Sequence, residues 1–213
     1  MRYALIATAI LSLTCSAPAF AADDAQPQDA HSRAEALVQK GKSLLDDSKY
    51  EEAQKAFAEA TALDPNSVEA YDNLGKALLF QAKYEDAAQE FARAINLSPN
   101  DYTAHFSRGI ALSHLGKWDE AVRDFNEVIR LYPKNQAVYN LRGIAYYEQG
   151  KLDEAINDFS KAIELNPGYA KAYNNRGLAY LRQGKKAEAE RDFAKSGEPQ
   201  SGPTGTRSTK CAF

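Results

Sequence analysis

Apolar residues recur along the chain with the spacing of amphipathic helices. Between residues 136 and 166 two such segments follow each other, separated by Gln149-Gly150-Lys151. Side chains three or four residues apart share one face of a helix, and glycine readily takes the left-handed conformation that ends one. The pattern therefore predicts two helices joined by a tight turn. Their apolar positions are Tyr139, Ile144 and Tyr146 in the first helix, and Ala155, Ile156, Phe159, Ala162 and Ile163 in the second.

The same helix pair recurs at intervals of 34 residues. The recurring residues are Gly41, Gly75, Gly109, Gly143 and Gly177; Ala53, Ala87, Ala121, Ala155 and Ala189; Phe57, Phe91, Phe125, Phe159 and Phe193; and the unit-ending Pro65, Pro99, Pro133 and Pro167. Repeats of this length build solenoids, in which each unit buries its apolar face against the next. We therefore predict an all-α solenoid of five helix-turn-helix units. We number them one to five, over residues 34–67, 68–101, 102–135, 136–169 and 170–196, the fifth being truncated.

The recurring small residues predict where the two helices of a unit cross. Helices approach closely only where the crossing residues lack bulk, so a large side chain at Gly143 or Ala155 would force the pair apart. The bulky residues that fill the remaining space recur as Tyr71, His105, Tyr139 and Tyr173 in first helices, and as the phenylalanines in second helices. Acidic pairs such as Asp153-Glu154 begin the second helices, where the helix dipole favours negative charge. We interpret them as helix-start residues rather than as a catalytic pair.

Units three to five share a further pair of charged positions. Arg108, Arg142 and Arg176 precede the recurring glycine, and Asp124, Asp158 and Asp192 precede the recurring phenylalanine. The first two units have Lys40 with Ala56, and Leu74 with Glu90, at these positions. Because arginine and aspartate occur together, we predict that they pair between the first and second helices of a unit.

These residues resemble the tetratricopeptide repeat signature. The match in unit two is Tyr71-x-x-Leu74-Gly75-x-x-Leu78, followed by Ala87-x-x-x-Phe91 and Pro99. The resemblance covers roughly three quarters of the chain and implies a right-handed superhelix whose first helices line a concave groove. Unit five departs from the pattern, since its second helix starts at Lys186 where the other units have bulky residues. We expect this polar helix to cap the stack.

The resemblance also implies which residues line the groove. The predicted groove residues are Phe80, Phe106, Ile110, Asn140, Ile144, Tyr147, Asn174, Leu178 and Leu181. Such a mixture of apolar and amide side chains suits an extended peptide or an amphipathic helix. We expect exposed anchors at Phe80, Phe106, Tyr147 and Leu181, the alternative being that groove residues pack against neighbouring helices.

Some relatives grip a peptide's terminal carboxylate with lysine, arginine and asparagine side chains from three successive first helices. Here Asn73 is retained, but Val38, Thr103 and Ser107 stand where basic or amide partners would be expected. The resemblance therefore implies a protein or peptide partner of a different kind.

Composition and motifs argue against other classes of function. The net charge of −3 offers no basic face for nucleic acid. Gly41-Lys42-Ser43 resembles the end of a phosphate-binding loop, but the leading glycine and a preceding strand are missing. The histidines His31, His105 and His114 are too scattered for a zinc pair, and no nucleophile is placed beside a base. We therefore expect a non-enzymatic protein with no cofactor, no metal and no nucleic-acid partner.

Residues 1–21 have the layout of a secretory signal peptide. Arg2 precedes a short apolar run, and Ala19-Phe20-Ala21 supplies the small residues of a cleavage site. The run is far shorter than the ~20 residues that span a bilayer, so we expect cleavage near Ala21 and no membrane span afterwards. The alternatives are an uncleaved anchor and a lipid-modified Cys15. Cleavage would leave 26 − 1 = 25 basic and 29 acidic side chains, a net charge of −4, on an exported protein that we expect to be periplasmic.

The segments that flank the repeats are predicted to be disordered. Residues 22–33 form a polar linker, and residues 197–213 are rich in glycine, proline, serine and threonine. After cleavage Cys211 would be the single cysteine, so no internal disulfide is expected, and an intermolecular disulfide is the alternative to a free thiol. A homo-oligomer is the alternative organisation, in which a structural protein stacks through its C-terminal helix.

Overall fold

The computed structural model describes residues 27–197, and within these residues it contains ten helices and no strand. The helices are α1 (Pro27–Asp46), α2 (Tyr50–Leu63), α3 (Val68–Phe80), α4 (Tyr84–Leu97), α5 (Tyr102–His114), α6 (Trp118–Leu131), α7 (Gln136–Glu148), α8 (Leu152–Leu165), α9 (Ala170–Arg182) and α10 (Lys186–Ser196). Each predicted unit holds one odd-numbered first helix and one even-numbered second helix. The predicted signal peptide, Cys15, Cys211 and the tail beyond residue 197 lie outside the described residues.

Helix α1 begins earlier than the repeat pattern indicated. Residues 27–33 were expected to belong to a disordered linker, but they form the first two turns of α1. Pro27 at the helix start and Asp29 in the first turn both suit a helix N-terminus. The Nδ1 atom of His31 also lies 2.9 Å from Oδ2 of Asp64, at the end of α2. This contact holds the additional turns against unit one.

First and second helices begin in different ways. Ser67, Asp101 and Asn135 precede α3, α5 and α7, and their side-chain oxygens accept hydrogen bonds from backbone N–H groups of the first turn. Such caps satisfy donors that have no partner within the helix. The second helices follow a lysine without a capping side chain, and all of them carry acidic residues in the first turn. The predicted helix-start role of these carboxylates agrees with this arrangement.

The turn between the helices of a unit requires one residue in the left-handed conformation. Gly116, Gly150 and Gly184 supply it in units three to five, with φ between 70° and 80°. Ser48 and Ala82 take the same position in units one and two, with φ of 60° and 57°. A side chain with a Cβ is strained in this region, so the first two turns are less favourable than the last three.

Each recurring glycine lies against the ring of the recurring phenylalanine in the same unit. A Cβ built at Gly143 would lie 2.7 Å from Cε1 of Phe159, and the corresponding distance in the other units is 2.5–2.7 Å. The phenylalanine rings are buried. The predicted crossing of the two helices at the glycine is therefore confirmed.

The predicted pairing of arginine and aspartate is also confirmed. Arg142 donates from Nε and Nη2 to the two carboxylate oxygens of Asp158, at 2.8 and 2.7 Å. The pairs in units three and five have the same geometry, with distances of 2.7–2.8 Å. Burial raises the pKa of the Asp158 carboxyl, and Arg142 opposes this shift. In unit three the buried His105 adds its Nδ1 atom, 2.9 Å from Oδ1 of Asp124.

The units stack in chain order. Every helix packs against the next one, and successive first helices also contact each other. The buried apolar residues form one large cluster mainly in units one and two and another mainly in units three to five. The division between these clusters falls at the junction of units two and three. None of the helices described is long and apolar enough to cross a membrane.

Candidate functional site

We define the inner face by four positions in each first helix, counted from its recurring glycine. They are the third residue before the glycine and the first, fourth and fifth residues after it. At 3.6 residues per turn these positions share a stripe about 100° wide, beside the surface that packs on the second helix. Every predicted groove residue belongs to the inner face. The structure therefore brings them to one side of the solenoid, although their exposure differs sharply between units.

In units four and five most of the predicted groove residues are buried. The side chains of Asn140, Ile144 and Leu178 are buried, and Asn174 is nearly so. Tyr147 is only 8% exposed, so the expectation of an exposed anchor is wrong at this residue. These residues pack between successive first helices, which was the alternative interpretation of the groove pattern.

Contacts between α7 and α9 explain this burial. Nδ2 of Asn175 donates a hydrogen bond of 3.0 Å to Oδ1 of Asn140, so that the two first helices share a buried amide pair. Arg182 donates to the backbone oxygen of Tyr147 at 2.8 Å, and its guanidinium lies 5.1 Å from the centre of the tyrosine ring. The amide oxygen of Asn140 and the aromatic ring of Tyr147 are thus in contact with neighbouring residues of the chain, whereas Nδ2 of Asn140 and Oδ1 of Asn174 are buried without a hydrogen-bond partner among the described residues. Leu181 remains 43% exposed at the end of α9.

Units one to three keep accessible apolar side chains on the inner face. We call the set Leu45, Leu79, Phe80, Phe106 and Ile110 the apolar strip. Phe80 is 61% exposed and stacks on Tyr50 of the preceding unit, with ring centres 5.1 Å apart. The other four residues are half-buried and pack on the core from their inner sides. Leu45 and Leu79 occupy the positions that Tyr147 and Leu181 hold in units four and five, and the sequence pattern predicted both of them on the groove side.

Charged residues lie beside the apolar strip. Lys42 pairs with Glu69 at 2.8 Å, and Lys76 pairs with Asp72 one turn earlier on α3. Asp72 is 7% exposed, and its Oδ1 atom has no hydrogen-bond partner among the described residues. Burial raises the pKa of this carboxyl, against the effect of Lys76. A buried oxygen without a partner costs about 1–3 kcal/mol, so this oxygen lowers the stability of unit two.

The residues that resembled other kinds of site have structural explanations. Gly41-Lys42-Ser43 lies within helix α1, where its backbone forms no loop. His105 contacts Asp124 and the backbone oxygen of Pro99, and His114 stacks on Tyr84 with ring centres 4.4 Å apart. Over residues 27–197, no three His, Cys, Asp or Glu side chains are placed to hold a metal ion.

Protein-family models match most of the repeat region. A TPR repeat model matches residues 41–81 and 143–184, and two further tetratricopeptide repeat models match residues 73–136 and 125–157. The chain belongs to the tetratricopeptide repeat family. The predicted fold, a solenoid of tandem helix-turn-helix repeats, is thereby confirmed together with the family.

Solved structures of similar tetratricopeptide solenoids agree with this fold. MamA from Desulfovibrio magneticus RS-1, residues 41 to the end, is 24% identical with a TM-score of 0.74, over 77% of this chain and 93% of that chain. Another MamA crystal structure is 27% identical with a TM-score of 0.70, over 73% and 91%. YrrB, described as a TPR protein with an unusual peptide-binding site, is 22% identical with a TM-score of 0.67, over 75% and 82%. No curated protein matches the chain.

Proposed function

We propose that this tetratricopeptide protein is a non-enzymatic interaction module that holds a peptide segment of a partner protein on the inner face of units one to three. The observation that carries the proposal is the apolar strip, which stays accessible there, whereas most predicted groove residues of units four and five are buried. Accessible apolar surface beside charged groups is typical of sites that bind other proteins. Among solved structures of this fold, YrrB is described as having a peptide-binding site.

The side chains of this surface indicate what the peptide must carry. Phe80 presents an aromatic ring that is held by Tyr50, and such rigid aromatic anchors dominate binding energies. Lys42 and Glu69 form an exposed ion pair beside the strip. The surface therefore suits a segment with an apolar residue for the strip and a charged side chain for the Lys42–Glu69 pair. An extended strand and an amphipathic helix can both present this combination.

We further propose that binding takes place after export, in the periplasm of a Gram-negative cell. The layout of residues 1–21 supports export. Expression of the full chain in such a cell, followed by fractionation and mass spectrometry of the N-terminus, tests this part. We expect a periplasmic product that begins near residue 22, whereas an intact N-terminus in the cytoplasm would contradict export.

Stacking through the C-terminal helix has weaker support. The exposed residues of α10 are polar or small, namely Lys186, Ala187, Glu190, Arg191, Ala194 and Lys195. A helix with this surface suits the solvent-facing cap of a solenoid. Light scattering on residues 22–213 should therefore give a mass that does not rise with concentration.

Selection of peptides from a displayed random library tests the peptide-binding proposal. We expect the enriched peptides to bind the wild-type chain and to lose at least about tenfold in affinity on Phe80→Glu, because the apolar anchor is lost and a charge takes its place. Tyr132→Glu is the matched control, since Tyr132 is 54% exposed and lies against Tyr102, with ring centres 4.3 Å apart, at the end of a second helix. Equal affinities of both variants, or no enrichment at all, would overturn the proposal.

A further inference from the structure

The junctions between the last three units contain a recurring polar contact. In unit four, Nη1 of Arg142 donates to Oδ1 of Asn126 in the preceding second helix, at 2.6 Å. In unit five, Nη1 of Arg176 donates to Oγ of Ser160 at 2.9 Å. The arginine therefore uses two nitrogens for the aspartate of its own unit and the third for the preceding unit.

An aromatic ring accompanies this contact at both junctions. The guanidinium of Arg142 lies 5.8 Å from the centre of the Tyr146 ring, and that of Arg176 lies 5.9 Å from the Tyr180 ring. The preceding second helix also carries an aliphatic residue four positions before the oxygen acceptor, Val122 at the first of these junctions and Ile156 at the second. The arginine thus contacts an oxygen acceptor and lies beside an aromatic ring, and the preceding second helix carries an aliphatic residue one turn before the acceptor.

All three of these groups are missing at the junction of units two and three. Ala92 replaces the oxygen acceptor, Leu112 replaces the tyrosine, and Ala88 replaces the aliphatic side chain. Arg108 still pairs with Asp124 through Nε and Nη2. Its Nη1 atom, however, has no hydrogen-bond partner among the described residues. The side chain of Arg108 is 26% exposed, compared with 19% for Arg142 and 18% for Arg176.

The missing side chains leave a cavity of about 300 Å³ between α4, α5 and α6. Its apolar wall is formed by Ala88, Ala92, Leu112 and Leu115. Arg108 lines it as well, and the rim carries Lys117 and Arg123 with Glu85 and Glu120. Two second helices contribute to the cavity, and none of its residues belongs to the inner face. It is therefore separate from the apolar strip.

We propose that this cavity binds a small aromatic carboxylate. The ligand ring would take the place of the tyrosine that stacks beside the arginine in the next two units, and its carboxylate would accept the hydrogen bond of Arg108 Nη1. Arginine suits this role because its planar guanidinium both stacks on rings and binds carboxylate oxygens. A charge-assisted bond of this kind is stronger than the neutral contacts made by Asn126 and Ser160.

The acidic residues of the rim set a limit on affinity. Hydrogen bonds to Asp124 raise the pKa of the Arg108 guanidinium, and the charge of Glu120 contributes to this rise. Glu120 lines the same cavity as Arg108 and therefore lies near the ligand position. Its carboxylate opposes an anionic ligand. We therefore expect Glu120→Gln to strengthen binding of the aromatic carboxylate.

Titration of residues 22–213 with 3-phenylpropionate, followed by NMR, tests the proposal. We expect saturable shifts at Arg108 and Leu112, and binding at least about tenfold weaker for 3-phenylpropionamide, which lacks the charge. The cyclohexyl analogue, which lacks the aromatic face, should also bind more weakly. Absence of shifts at Arg108 and Leu112 up to about 10 mM ligand, or equal binding of acid and amide, would overturn the proposal.

A filled variant provides the matched control. Ala88→Val, Ala92→Asn and Leu112→Tyr introduce the residues found one unit later, so the cavity should close, ligand binding should be lost and the melting temperature should rise. Ala92→Asn alone serves as a second variant, since it supplies only the acceptor for Arg108. If the filled variant folds and still binds 3-phenylpropionate with unchanged affinity, the ligand does not occupy this cavity. Phe80→Glu should leave this binding unaffected, which separates the cavity from the apolar strip.

Discussion

The pair Arg142–Asp158 allows the contribution of a buried charge pair to be measured within one unit. We consider the single changes Arg142→Leu and Asp158→Ala and their combination. Unit two has a leucine, Leu74, at the arginine position, and unit one has an alanine, Ala56, at the aspartate position. Both replacements are therefore residues that this fold already accommodates at those sites.

The expected costs follow from burial and from the bonds that remain. The Asp158 side chain is only 8% exposed, so removing Arg142 leaves a buried carboxylate without its donors and should cost about 3–5 kcal/mol. Removing Asp158 leaves an arginine that still donates to Asn126, so we expect about 1–3 kcal/mol. The double variant contains neither charge. It should cost at least about 2 kcal/mol less than the sum of the single changes.

Urea unfolding followed by circular dichroism gives the four free energies of unfolding. Arg130 and Glu127 form the control pair, because they lie 2.8 Å apart on the exposed surface of α6. Their coupling energy should be below about 0.5 kcal/mol. A coupling energy for Arg142 and Asp158 no larger than that of the control would show that the buried geometry does not stabilise the unit. The wild type and all three variants should keep the same m-value, since a change would indicate that units unfold separately.

Three further predictions concern the backbone, the helix crossing and pH. Ala82→Gly should stabilise the chain by about 1 kcal/mol because it removes an alanine from the left-handed conformation. Ala58→Gly, at an exposed position in the middle of α2, should destabilise the chain by a similar amount, and thermal melts of both variants check this. Gly143→Ala should lower the free energy of unfolding by about 1–3 kcal/mol through its contact with Phe159, and Phe159→Leu should cost less in that background than in the wild type. Burial raises the pKa of Asp158 above 3.8. The wild type should therefore lose stability relative to Asp158→Asn as pH rises from about 4 towards 7, which the urea midpoints of both proteins measure. The opposite trend would contradict the raised pKa.

Residues that recur in every unit made the fold predictable from the sequence. Glycine, alanine and phenylalanine each return at a constant interval, so a single physical argument about Gly143 and Phe159 applies to five helix pairs. The arginine and aspartate of units three to five could be paired for the same reason. The early start of α1 was missed because residues 27–33 precede the first unit, and no second copy of them exists with which they could be compared.

Exposure on the inner face could not be predicted in the same way. The pattern placed Phe80 and Tyr147 on the same face, but it did not indicate how closely successive first helices approach. That distance depends on the side chains between them. The amide pair of Asn140 and Asn175 joins α7 to α9, and Arg182 covers Tyr147, whereas Phe80 turns outward onto Tyr50.

The residues that depart from the repeat pattern are the ones left free to bind. Every unit needs its glycine, alanine and phenylalanine for packing, and units three to five also use their arginine and aspartate. These residues are buried or already paired, and apart from Nη1 of Arg108 they have no contacts left to offer a partner. The cavity lies where Ala88, Ala92 and Leu112 stand in place of the Val122, Asn126 and Tyr146 found one unit later. This difference leaves Nη1 of Arg108 without an acceptor within residues 27–197, and a ligand carboxylate would supply one.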